Sequence, residues 1–224
     1  MGAGRPPVRA RLWDWPTRLV HWALVALIGF SWWAAETDRL TWHRLSGYVV
    51  LGLVVFRLIW GFAGSGSARF ASFVRGPGAT LAYARTLASR TYKASPGHNP
   101  LGAWSVLAIL ACLIAQVVTG LFAVDVDGLE SGPLSDRVSF DTGRAFAEWH
   151  EWSFTALQVL VVLHFLAIGF YAFYKRVDLV RPMVTGRQAF ENDPKLSFAS
   201  PSRTVLVAVV AAALAWFVSK GLRL

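Results

Sequence analysis

Apolar residues fall in long unbroken runs in this chain, and the clearest extends from Phe154 to Tyr174 without one charged side chain. About 20 such residues cross a bilayer as a helix. Further runs cover Leu19 to Ala35, His43 to about Phe62, Pro100 to about Val124, and Thr204 to Val218. The last is only just long enough to span. The pattern predicts an all-α integral membrane protein. A four-helix transmembrane bundle occupies residues 1–187, and a linker with a fifth, C-terminal transmembrane helix occupies 188–224.

The connections carry signals of their own. Glu36 to Trp42 is a short polar turn. Residues 63–98 hold Arg69, Arg75, Arg85, Arg90 and Lys93 and no acid. Pro77 is suited to open a short helix, and Leu81, Tyr83, Ala84, Leu87 and Ala88 with their arginines read as weakly amphipathic and interfacial. Asn99 before Pro100 reads as the N-cap and first-turn pair of the third span. Residues 125–149 reverse the charge, with Asp125, Asp127, Glu130, Asp136, Asp141 and Glu148 against Arg137 and Arg144, six against two and a net of −4. Residues 175–203 are basic again.

Composition agrees with a membrane protein: of 224 residues, 55% are hydrophobic and 16% charged. Eleven Trp and fifteen Phe suit interfacial belts and the packing of a large flat ligand. The net charge of +9 resides mainly in loops beside spans, which the positive-inside rule explains without nucleic acid. By that rule the N-terminus (Arg5, Arg9, Arg11, Arg18) is cytoplasmic, and so are the 63–98 loop and the segment after Tyr174. The acidic loop is then outside. A fifth span carries Lys220 and Arg223 outside, against the rule. The first run is long for a signal peptide, and Trp32-Trp33-Ala34-Ala35-Glu36 is a poor cleavage site, so it is read as a retained span. Cys112 is the only cysteine, so an internal disulfide and covalent haem attachment through Cys-x-x-Cys-His are both excluded.

Histidines mark the chemistry. His150 and His164 are 14 residues apart on the fourth span, about 21 Å along the axis and within roughly 40° of one face. His43 and Arg57 repeat that spacing on the second span. By depth, His43 and His150 lie near the outer surface, and His21 and His164 nearer the inner one. Singly, an intramembrane histidine can be a helix–helix hydrogen-bonding group, and His43 and His150 can be interfacial. Four that fall into two matched layers fit axial ligation of two haems. A bare metal site fits less well, because no carboxylate lies beside them within the spans. Arg57 either snorkels to the headgroups or pairs with a haem propionate or an anionic semiquinone. His98, at the inner end of the third span, caps a helix or exchanges protons at a quinone pocket. Gly47 and Gly120 are candidates for leaving room for a macrocycle. Gln116 and Thr119 read as interhelical hydrogen bonders.

Residues 12 to about 187 resemble the bacterial cytochrome b561 family, which is similar to the cytochrome b subunit of nickel–iron hydrogenases. The resemblance rests on Trp15-Pro16-Thr17-Arg18-Leu19-Val20-His21-Trp22, His43-Arg44-Leu45-Ser46-Gly47-Tyr48 and Phe56-Arg57-Leu58-Ile59-Trp60-Gly61. It continues in Gly97-His98-Asn99-Pro100-Leu101-Gly102 and in Trp149-His150-Glu151 with His164. It implies a four-helix core in a bacterial inner membrane and haem ligands at His21, His43, His150 and His164. The implied cofactors are two non-covalent haem b groups, with quinone as substrate or bound ligand. The implied function is electron transfer between the quinone pool and a periplasmic redox protein, such as a cytochrome c or a hydrogenase. An alternative implied by the same resemblance is a superoxide oxidase that reduces quinone. The acidic outer loop favours a cationic protein partner over an anionic substrate. A haem-free transporter or assembly factor requires all four histidines to be structural.

Overall fold

The computed structural model describes residues 7–90, 95–125 and 130–223. Arg5, Lys93 and Asp127, three of the charges read above, lie outside the described residues. Strand β1 (Val8–Arg11) precedes helices α1 (Trp15–Glu36) and α2 (Leu40–Ala63). The next segment folds into a 3-10 turn (Gly66–Ala68) and short helices α3 (Phe70–Phe73) and α4 (Pro77–Arg85). Helix α5 (Pro100–Phe122), a second 3-10 turn (Ser135–Arg137) and helix α6 (Phe140–Phe173) follow. Helix α7 (Val180–Thr185), strand β2 (Arg187–Phe190) and helix α8 (Pro201–Ser219) complete the order. Five of these, α1, α2, α5, α6 and α8, are long and apolar enough to cross a membrane.

Local chemistry sets the helix starts. Asp14 accepts the Thr17 N–H at 2.9 Å, and Pro16 sits in the first turn, so α1 begins four residues before the apolar run. Asn99 caps α5 by accepting the Gly102 N–H at 2.8 Å, ahead of Pro100, as its sequence predicts. Pro77 likewise opens α4. Helix α6 is longer than its apolar run. Ser139 caps it at the Thr142 N–H, and its 34 residues span ~51 Å against ~30 Å of hydrocarbon. Much of the expected acidic loop is therefore the first turns of a helix that stands beyond the membrane.

Packing joins α1 to α2, α5 to α6 and α8 to α2. One apolar cluster, Val20, Phe56, Trp60, Val207 and Ala211, ties α1, α2 and α8. Another, Val50, Val54, Leu110, Leu113 and Leu157, ties α2, α5 and α6. Helices α1 and α6 are not among the extensively packed pairs of the described residues. Large apolar side chains on α6 and α8, such as Phe165, Leu166, Leu206 and Val209, are exposed, as a lipid-facing surface requires.

Two features add to the sequence expectation. Strands β1 and β2 pair antiparallel, Val8 opposite Phe190 and Arg11 opposite Arg187, over buried Leu12, Trp13 and Phe190. This ribbon joins the N-terminus to the segment after α6, and it crosses the 187/188 boundary between the two expected regions. Helix α8 then runs the length of the bundle. Its end meets the second 3-10 turn, where Arg223 pairs with Asp136 and Arg137 donates to the Gly221 carbonyl at 2.9 Å. Pairing with the acidic loop offsets the cost of a cation at that end, which the charge rule alone does not anticipate.

Candidate haem-binding sites

The residues singled out in the sequence converge in two groups, one toward each end of the bundle. Toward the end that carries the N-terminus, His21 of α1 and His164 of α6 face each other with ring centres 6.4 Å apart. Toward the other end, His43 of α2 and His150 of α6 lie 5.9 Å apart. Two imidazoles bonded at ~2 Å on opposite sides of one metal put their ring centres roughly 6 Å apart. Among the described residues no three or more His, Cys, Asp and Glu side chains come together as a metal site. Each pair could supply two ligands to a group such as a porphyrin, whose four nitrogens would complete the set.

Hydrogen bonds orient the His43/His150 pair. Nδ1–H of His43 donates to the Ser31 carbonyl at 2.9 Å, with the Ser31 hydroxyl at 3.0 Å. A carbonyl only accepts, so the proton is on Nδ1 and the lone pair is on Nε2, as a metal-binding imidazole requires. Nδ1 of His150 lies 3.2 Å from the Thr119 hydroxyl, and its Nε2 lies 2.9 Å from the Gln116 amide nitrogen. Ser153 in turn donates to Gln116 Oε1. Gln116 and Thr119 are thus interhelical hydrogen bonders as read from the sequence, with His150 as their partner. Sequence reasoning missed Ser31 and Ser153. No spacing rule marks Ser31, which reaches His43 across the α1–α2 hairpin.

The His21/His164 pair has a different character. Neither ring makes a hydrogen bond among the described residues, although both lie well inside apolar helices. Polar groups left so within a membrane are costly without a partner. Two more unpartnered nitrogens belong to the same end. Arg57 is 9% exposed, lies 5.0 Å from the Phe70 ring, and has Nη1 sealed without a hydrogen bond. His98 is held between Trp13 and Phe73 at 4.8 Å from each ring. The residue is mostly buried, and its Nδ1 is sealed and unpartnered. Burial, reinforced by the nearby Arg57 charge, pushes its imidazole down to about 3, so it is neutral at neutral pH.

Of the two glycines proposed to leave room, Gly47 does face open space, with nothing within 4 Å of a Cβ built there. Gly120 instead lies against His150, where a Cβ would come 2.8 Å from Cε1. Its missing side chain admits the imidazole. Sequence reasoning also missed Asp14. Its second carboxylate oxygen accepts the Trp60 indole N–H at 2.9 Å, both residues being buried, which fixes the start of α1 against α2 two turns before His21.

A family model described as prokaryotic cytochrome b561 matches residues 12–186. No curated protein and no solved structure matches the chain.

Proposed function

The chain belongs to the prokaryotic cytochrome b561 family, so it is a multi-pass bacterial membrane b-type cytochrome that acts in electron transfer, and we propose that it carries electrons through two haems between quinone and a periplasmic redox protein. The close approach of His21 to His164 and of His43 to His150, near opposite ends of one bundle, is the observation that carries this reading. Haem b, when bound, supplies a one-electron couple at iron.

His43 and His150 hold the haem at the end of the acidic loop. Ser31 fixes the His43 ring, and the Thr119 hydroxyl at Nδ1 fixes that of His150. The Gln116 amide at Nε2 occupies the lone pair a metal would take and would have to turn aside when haem binds. His21 and His164 hold the other haem. Arg57, with a buried nitrogen to satisfy, pairs with an anion at that level, either a haem propionate or a reduced quinone. His98 offers a neutral imidazole to a quinone oxygen. Oxidation of one quinol releases two protons with its two electrons, so a hydrogen-bonding group at that place is needed. The N-terminus is cytoplasmic in this scheme, which sets the Arg57 end inside.

At the outer end Glu130 and Asp136 are engaged by Arg44 and Arg223. Asp141, Glu148 and Glu151 on the first turns of α6 remain exposed and form no ion pair among the described residues. They present negative charge beside His150 and favour a cationic partner such as a cytochrome c. The test is stopped-flow mixing of the purified cytochrome with a short-chain quinol and with basic cytochrome c. Quinol should reduce it and ferricytochrome c should reoxidise it, at a rate that falls as salt is raised. Rapid reduction by superoxide with no response to cytochrome c would replace the partner-coupled reading.

A further inference from the structure

Helix α8 lies outside the family match, and it builds a surface that haem binding does not use. A groove of about 490 Å³ runs between α1, α2 and α8, lined by Leu19, Gly52, Phe56, Ala208, Ala212 and Trp216. From Thr204 to Ser219 it follows α8 for ~22 Å, most of the ~30 Å hydrocarbon thickness. At Tyr48 and Ser219 it meets a second, polar pocket of about 300 Å³, whose lining includes Arg44, Asp136, Lys220 and Arg223. This places an apolar channel and a charged mouth end to end at one membrane surface.

We propose that this pair of cavities binds one phospholipid with an anionic headgroup, an acyl chain in the groove and the phosphate in the polar mouth. Charge complementarity selects that occupant. Three cations line the mouth against one carboxylate, Asp136, which Arg223 engages. Arg44 uses Nη1 on Glu130 at 3.0 Å and keeps a sealed Nε–H without a partner. The Lys220 ammonium makes no hydrogen bond or ion pair among the described residues. A phosphate accepts from such donors. A neutral quinone head gives these cations no counter-charge. The bound lipid would bridge α8 to α1 and α2 and hold the fifth helix on the core.

The experiment is native mass spectrometry of the full-length haem-loaded protein, delipidated and then titrated with phosphatidylglycerol or phosphatidylcholine of the same chains. Phosphatidylglycerol should be retained at least tenfold better. Lys220→Glu, on an exposed side chain, should remove that preference by about tenfold, and Lys220→Arg should keep it. Ala212→Phe should fill the groove and lower retention of both lipids, while glycerol 3-phosphate, which lacks chains, should not compete. Haem absorbance and size-exclusion profile confirm that each variant is folded. Equal retention of the two lipids, or Lys220→Glu behaving as the parent, overturns the proposal. So does Ala212→Phe expelling an added quinone or dissociating a dimer while phosphatidylglycerol stays bound.

Discussion

Replacing Gly120 by alanine places a methyl group where the His150 ring now lies. The new Cβ would be 2.8 Å from Cε1 and 3.1 Å from Nδ1. An ordinary contact begins near 3.4 Å, so the ring must retreat by about 0.6 Å. That retreat lengthens the 3.2 Å contact to Thr119 beyond hydrogen-bonding range and strains the 2.9 Å contact to Gln116. Overpacking costs about 1–3 kcal/mol, and the lost hydrogen bond adds about 1 kcal/mol. On the proposed reading the combined cost falls on a residue that would hold one of two haems. Redox titration followed in the visible region should therefore show one component shifted or lost and the other unchanged. Gly52→Ala serves as the control, because its Cβ would meet Ala215 at an ordinary 3.5 Å on the α8 side of α2. Two unchanged components in Gly120→Ala would refute the reasoning. So would a shift in the component that His21→Ala removes.

Arg57→Ala should lower the midpoint potential of the His21/His164 haem by tens of millivolts and leave the other haem alone, since a nearby positive charge favours the reduced state. An unchanged potential in redox titration returns Arg57 to a role at the headgroups. Asp14→Ala removes the cap of α1 and orphans the buried Trp60 indole, for a loss of about 3 kcal/mol. Thermal loss of haem absorbance should come at lower temperature, and Asp14→Asn should recover part of the stability. Topology is testable in intact cells with a membrane-impermeant thiol reagent, which should label Ser131→Cys and spare Ser89→Cys. The reverse pattern inverts the bundle and exchanges the two haem positions.

Much of this was legible in the sequence because a membrane helix announces itself by length and lack of charge. The depths of His21, His43, His150 and His164 then follow from the order of spans. Asn99-Pro100 and Pro77 mark helix starts for local reasons, and both do start helices. Long-range features were not legible. Ser31 reaches His43 only because the α1–α2 hairpin closes in one register. Strand β1 pairs with a segment that follows seven helices, and four-residue strands carry no periodicity of their own. The start of α6 was misplaced because the charged stretch before Trp149 resembles a loop. Ser139 caps it as a helix regardless, and its helical turns need no membrane.

The claim of two haems on two histidine pairs is tested most directly by pyridine haemochrome assay of haem per chain, in the parent and in two double variants. After correction for protein by amino-acid analysis, the parent should hold two haems, all extractable by acid–acetone. His43→Ala with His150→Ala should hold one, and His21→Ala with His164→Ala should hold the other one, with different midpoint potentials. A parent that holds one haem contradicts the account, and so do two double variants that retain the same spectral component.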